Sequence, residues 1–229
     1  MLRRKPLLGT VTVVVMLFAA TVALAQTFTG TPGADTINGT AQADRIDALG
    51  GDDTVNALGG NDIVRGGSGD DTISGEGNCP QGSQTTGPYA CIPGNAGNDQ
   101  LIGGSGQDTI NGNGGKDRIT GQSGDDRLRG NSGNDRITGG SGTDVLSGGT
   151  GRDFLTGSSG DDRLRGQSGN DLITGGSGRD AVEAGSGRDR IRVRDGIRDR
   201  VNCGSGRDSV TADRRDRIAS NCERVTRRR

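Results

Sequence analysis

The sequence predicts an all-β solenoid: stacked coils of two nine-residue units each, with two parallel sheets closing on a thin aliphatic core. Three observations predict it. Glycine supplies 45 of the 229 residues while aromatic residues make up 2%, so no ordinary core of large side chains can form. A nine-residue period runs through most of the chain, and a fixed repeat outweighs the disorder that a Gly-rich, charged composition would otherwise suggest. Three columns of that period hold together: glycine at position four, aspartate at position six and an aliphatic residue at position eight.

The first segment, residues 1–25, reads as an export signal. Arg3, Arg4 and Lys5 precede an apolar run from about Val11 to Leu24, which ends in Ala23-Leu24-Ala25, a small-x-small cleavage pattern. A membrane anchor is the rival reading, but the run is short for a span, which needs about 20 apolar residues. Cleavage leaves Gln26 first and a net charge of −4. The expectation is a secreted, extracellular protein with no membrane span after cleavage.

Residues 26–74 hold the first repeats: GTPGADTIN from Gly30, then GTAQADRID, ALGGDDTVN, ALGGNDIVR and GGSGDDTIS. Residues 94–192 resume the same step. Position six is Asp35, Asp44, Asp53, Asp62 and Asp71, then Asp99, Asp108, Asp117, Asp126, Asp135, Asp144, Asp153, Asp162, Asp171, Asp180 and Asp189. Position four is glycine except at Gln42. Glycines at positions one to four suit a tight turn needing positive φ. Positions seven to nine read as a three-residue strand with position eight inward, and with Arg or Thr outward, as in Arg127 and Arg129 around Leu128.

Coils of 18 residues would set Asp108 over Asp126 and Asp117 over Asp135. Carboxylates one strand apart repel unless a cation lies among them. Ca²⁺ suits such a row because it takes six to eight oxygens in flexible geometry; Mg²⁺ is stricter, and zinc wants His or Cys. The rival reading is an Asx turn, each carboxylate capping its own backbone. A whole column in one phase favours the cation.

The GGxGxDxUx units resemble the RTX, or haemolysin-type, calcium-binding nonapeptide repeats of bacterial secreted proteins. The resemblance spans Gly30 to Arg192 apart from one interruption, and fades toward Val225. It implies a right-handed parallel β-roll with multiple Ca²⁺ ions held between turns of neighbouring coils. The implied carboxylate ligands are Asp53, Asp62 and Asp71, and every ninth residue from Asp99 to Asp189. The implied backbone ligands are carbonyls of the glycine turns: Gly104, Gly106, Gly124, Gly133, Gly142, Gly151, Gly160, Gly169 and Gly178. The turn before Asp44 lacks its position-four glycine, which puts a site there in doubt. The array is expected to be largely disordered without calcium and to fold on binding it.

Residues 75–93, GEGNCPQGSQTTGPYACIP, break the period and hold the only tyrosine, Tyr89. They read as a projecting loop pinned by Cys79 and Cys91, either a tolerated insertion or a contact site. The break is also expected to leave Asp71 with a partner coil on one side only. Asp70, at position five, is expected to face freely or to offer only its backbone.

In residues 193–229 the Asp-x-aliphatic pattern persists at Asp199, Asp208 and Asp216 while most turn glycines disappear, as a sealing cap would require. Four cysteines in an exported chain read as disulfides. Local pairs, Cys79–Cys91 and Cys203–Cys222, are one of three connectivities. Thiol metal ligation lacks the usual spacing. The terminal arginines Arg227 to Arg229 are a solvated end or a contact for anionic cell-surface polymer.

Catalysis is not expected. The chain has no histidine and no HExxH, P-loop or EF-hand pattern. A polysaccharide lyase-like enzyme remains the enzymatic rival, but such enzymes build a groove from several long loops. A pore-forming toxin would need an apolar inserting domain ahead of the repeats. The expected partners are calcium and either a cell-surface polysaccharide or another protein, with no nucleic acid. The two leading readings are a free-standing calcium-binding protein and a calcium-dependent adhesive or carbohydrate-binding module.

Overall fold

The computed structural model describes residues 25–58, 62–74 and 98–227. The leader up to residue 24 and the loop of residues 75–93, with Cys79 and Cys91, lie outside the described residues. Within them the chain alternates strictly between two parallel sheets, one of 11 strands and one of 10. Odd-numbered strands, from β1 (Thr27–Thr29) to β21 (Arg224–Arg227), form the first; even-numbered strands, from β2 (Thr36–Thr40) to β20 (Arg217–Ile218), form the second. Each strand pairs with the one a full coil away. In β10 (Arg127–Gly133) and β12 (Val145–Thr150), for example, Leu128 faces Leu146, an offset of 18 residues.

The strands are longer than the three residues that the sequence pattern suggests. Each runs on through positions one to three of the next unit, giving six or seven residues in most coils, as in β11 (Arg136–Ser141). The reason lies in position one. Its small residue points inward beside the position-eight aliphatic, so the chain stays extended past the apolar triplet. The turn shrinks to positions four to six. Position two bends the strand: it adopts positive φ in most interior units, through glycine or through Asn113, Gln122, Asn131 and Gln167.

The core is thin and layered. Position eight gives one fully buried aliphatic per unit, among them Ile110, Leu128, Leu146 and Ile173. Position six gives a buried aspartate beside it. The core therefore contains as many carboxylates as large apolar side chains in its middle coils.

The break at residues 75–93 does not interrupt the stack. β5 (Ile63–Ser68) pairs directly with β7 (Gln100–Ser105), and β6 (Thr72–Ser74) with β8 (Thr109–Gly115), now at an offset of 37 residues. The expectation that Asp71 lacks a partner on one side is thus corrected: its carboxylate accepts the Asp53 amide and its own amide donates to Asp108. At the far end a Cys203–Cys222 disulfide ties the last coils together, as the local pairing predicts. Among the described residues no helix is long and apolar enough to cross a membrane.

Candidate metal centre

Position six leads directly into each strand, so the ladder that aligns the strands also aligns the aspartates. Two columns result. One runs from Asp35 through Asp53, Asp71, Asp108, Asp126, Asp144, Asp162, Asp180 and Asp199 to Asp216. The other runs from Asp44 through Asp62, Asp99, Asp117, Asp135, Asp153, Asp171 and Asp189 to Asp208. All but Asp35 are buried, with relative exposure from 0% to 5%.

Each column is a relay of backbone to carboxylate. The Asp126 amide donates to Asp144 Oδ1 at 2.9 Å, Asp144 to Asp162 at 2.9 Å, and Asp162 to Asp180 at 3.0 Å. Across the insertion, Asp62 donates to Asp99 and Asp71 to Asp108, both at 2.8 Å. One oxygen of every interior carboxylate is thereby held by the coil before it.

The other oxygen is not. Oδ2 is buried without a hydrogen-bond partner in Asp53, Asp62, Asp71, Asp108, every column aspartate from Asp126 to Asp189, Asp199 and Asp208. It lies against the position-one glycine of its own turn, facing the position-one carbonyl of the next coil. A Cβ on Gly130 would meet both Asp135 Oδ2 and the Gly148 carbonyl, and one on Gly139 both Asp144 Oδ2 and the Gly157 carbonyl. A side chain at Gly130 or Gly139 would have to displace those oxygens, whereas Ala48, Ala57 and Ala184 hold position one in other turns.

The ends behave differently. At Asp44, Oδ2 accepts from the Thr40 amide at 2.6 Å and the Thr40 hydroxyl at 2.9 Å. Thr31 serves Asp35 in the same way, at 2.5 and 3.0 Å. These two carboxylates cap their own turns, which is the Asx-type alternative realised in the first coil. At the other end Asp216 Oδ2 accepts the Asp213 amide at 2.6 Å, and Glu223 takes the Asp208 amide at 2.8 Å.

Burial makes the interior carboxylates hard to ionise. Desolvation raises Asp62, Asp108, Asp162, Asp171 and Asp199 to about 7, and Asp53, Asp144, Asp153 and Asp180 to about 6. The relayed amide opposes the shift, and neighbouring carboxylates add to it in most cases; Asp71 and Asp126 both push Asp108 upward. Asp71, Asp126, Asp135, Asp189 and Asp208 are raised for the same leading reason.

This donor set fits a hard divalent cation: carboxylate and carbonyl oxygens, no soft ligand, and anionic oxygens lacking a donor. Among the described residues no three acidic or cysteine side chains converge on one point. Two stacked aspartates at most would meet an ion, so backbone carbonyls would supply the remainder. The glycines expected to do so stack in columns of their own. Position-four Gly106, Gly124, Gly142, Gly160 and Gly178 each press on the carbonyl of the glycine one coil before, as do Gly133, Gly151 and Gly169 in the other column. Position-two Gly104 presses likewise on the Gly67 carbonyl.

The model of the RTX calcium-binding nonapeptide repeat family matches residues 29–64, 56–78, 93–128, 120–155 and 156–191. The chain belongs to this family. No curated protein matches it. Calcium binding is what membership implies, and the unpartnered oxygens are the feature of this RTX chain that such an ion would satisfy.

Two column aspartates lie beyond the family match. Asp199 and Asp208 continue the columns with the same unpartnered oxygen, although the sequence singles them out only as parts of a fading pattern. Their signal was the Asp-x-aliphatic triplet, Asp199-Arg200-Val201 and Asp208-Ser209-Val210. Asp70 does not face freely: its carboxylate accepts the Gln107 amide at 2.8 Å, while its own amide donates to Asp52 at 2.9 Å. Among the described residues, position five thus accepts the amide one coil on wherever it is Asp or Asn.

Proposed function

We propose that this RTX chain is an exported, non-enzymatic protein whose β-roll is ordered by calcium. The observation that carries the reading is the row of buried carboxylates from Asp126 to Asp189, each holding one oxygen toward no donor. In the unfolded chain these groups are hydrated. Folding without a cation therefore leaves each one protonated or charged and unsatisfied. Bound calcium would neutralise and ligate those oxygens. Asp53, Asp62, Asp71 and the column from Asp99 to Asp208 would hold it, with carbonyls of the glycine turns. Export is supported by the cleavable leader pattern and by the Cys203–Cys222 disulfide, which belongs in an oxidising compartment. The absence of histidine speaks against Ser-His-Asp and Cys-His mechanisms.

Equilibrium dialysis against calcium tests the assignment. The chain is expected to bind several ions, and the triple substitution Asp126→Asn, Asp144→Asn and Asp162→Asn to lower that number. Unchanged stoichiometry in the triple variant would refute these aspartates as ligands.

A further inference from the structure

The near-neutral charge of the chain hides a separation. Eighteen of its 29 acidic residues are buried aspartates, whereas none of its 28 Lys and Arg is buried among the described residues. With the interior carboxylates neutralised, the exterior is strongly basic. That charge is also sorted by edge. The turns leading into the even sheet carry exposed Asp52, Asp70, Asp125 and Asp161 at position five, with cations there only in the last coils, at Arg179, Arg198 and Arg215. The turns leading into the odd sheet carry Asn98, Lys116, Asn134, Arg152, Asn170, Arg188 and Arg207 there.

Two grooves follow this basic edge. One, of about 580 Å³, is lined by Lys116, Arg118 and Arg136; the next, of about 750 Å³, by Arg152, Arg188, Arg190 and Arg207. Phe154 stands between them, with the guanidinium carbons of Arg136 and Arg152 at 5.1 and 5.6 Å from its ring centroid. That contact positions two forks at the junction. The ion pairs among the described residues, Arg165–Glu183 and Arg194–Asp213, involve none of the groove cations. Arg207 also lies beside Glu223, whose carboxyl it helps to lower.

The geometry points to this edge as a docking groove for a linear acidic polysaccharide, its carboxylate or sulfate groups taken by arginines spaced along the stacked coils. Coils advance by one strand spacing, ~4.8 Å, a step comparable to one pyranose ring. Six of the seven groove cations are arginines, whose planar forks suit bidentate oxyanions better than lysine. A single-stranded nucleic acid would want open aromatic platforms for its bases, whereas Phe154 is engaged by two guanidinium groups. The inference rests on the calcium-ordered roll, because these arginines align only when the coils stack.

Binding of chondroitin sulfate chains to the calcium-loaded protein, with circular dichroism run in parallel, tests it. Saturable, salt-sensitive binding is expected. Arg152→Ser, Arg188→Ser and Arg190→Ser together should weaken it about tenfold or more, and Arg127→Ser, Arg129→Ser and Arg163→Ser on the even sheet by less than about threefold. Equal losses in the two triples would reduce the effect to net charge and overturn the groove. Tighter binding of oligo(dT) than of the glycan would overturn the assigned partner. A roll that orders with calcium yet binds no glycan would sink this inference alone. Glycan binding to a roll that needs no calcium would uphold the groove and reject the calcium reading.

Discussion

The first coil and the interior coils carry the same aspartate at the same position, yet only the first completes its hydrogen bonds. The difference is one residue, at position two. Thr31 and Thr40 are β-branched and are not among the left-handed residues, and each turns its amide and hydroxyl onto the carboxylate below. Most interior units place Gly, Asn, Gln, Ser or Leu there with positive φ, and Oδ2 finds no donor at aspartates such as Asp53, Asp126 and Asp144. The C-terminal end is closed by Asp213, Glu223 and the disulfide. The molecule is therefore sealed by its own chain at both ends and left open to a cation between them.

The largest expected effect comes from pH. Each interior carboxyl whose pKa is raised from 3.8 toward about 6 or 7 binds its proton more tightly folded than unfolded. Stability of the calcium-free roll is thus greatest below about pH 4 and falls as pH rises through 6 to 7. Calcium competes with those protons, so the need for it should appear only across that window. Far-UV circular dichroism of chelated protein at pH 4 and pH 8 checks this; β-structure that is equal at both values would contradict it.

Asp→Asn substitutions sharpen the contrast between regions. Asp126→Asn, Asp144→Asn and Asp162→Asn keep an acceptor for the relayed amide while removing the charge. They should stabilise the calcium-free roll and shrink the gain that calcium brings. Asp44→Asn should do the opposite, losing about 1–3 kcal/mol with or without calcium, because the Thr40 donors then face an amide group. Denaturant melts of both variants, with calcium and with chelator, distinguish the two signs.

Opening the sealed ends should act locally. Cys203→Ser with Cys222→Ser is expected to lower stability by about 2–4 kcal/mol, with protection from hydrogen exchange lost first at residues 199–227. Thr40→Gly removes the hydroxyl donor to Asp44 and frees position two to adopt positive φ, which would turn the remaining amide away, for about 1–3 kcal/mol in chelator. Calcium should restore part of that loss, and no restoration would mean that the first coil cannot be converted into an interior one.

Much of this was legible in the sequence because periodicity and burial are written in the same three columns. The two-sheet stack, the position-eight core and the Asp-on-Asp registry follow from a nine-residue step. The strand through positions one to three was not, since a glycine that packs inward looks identical to a glycine that turns. Nor was the role of position two, where Thr31 and Asn131 differ in backbone hand and not in polarity. The continuity across residues 75–93 was hidden because a sequence break does not show whether it leaves the stack sideways or splits it. The basic edge was hidden because net charge averages buried and exposed groups.

A calcium titration of the chain from residue 26, at pH 8 after chelation and followed by far-UV circular dichroism, tests the central claim most directly. A cooperative gain of β-structure on adding calcium, reversed by chelator, is the predicted result. A full β-signal in chelator, unchanged by calcium, would mean that the unpartnered Oδ2 atoms cost the fold nothing and would contradict the account.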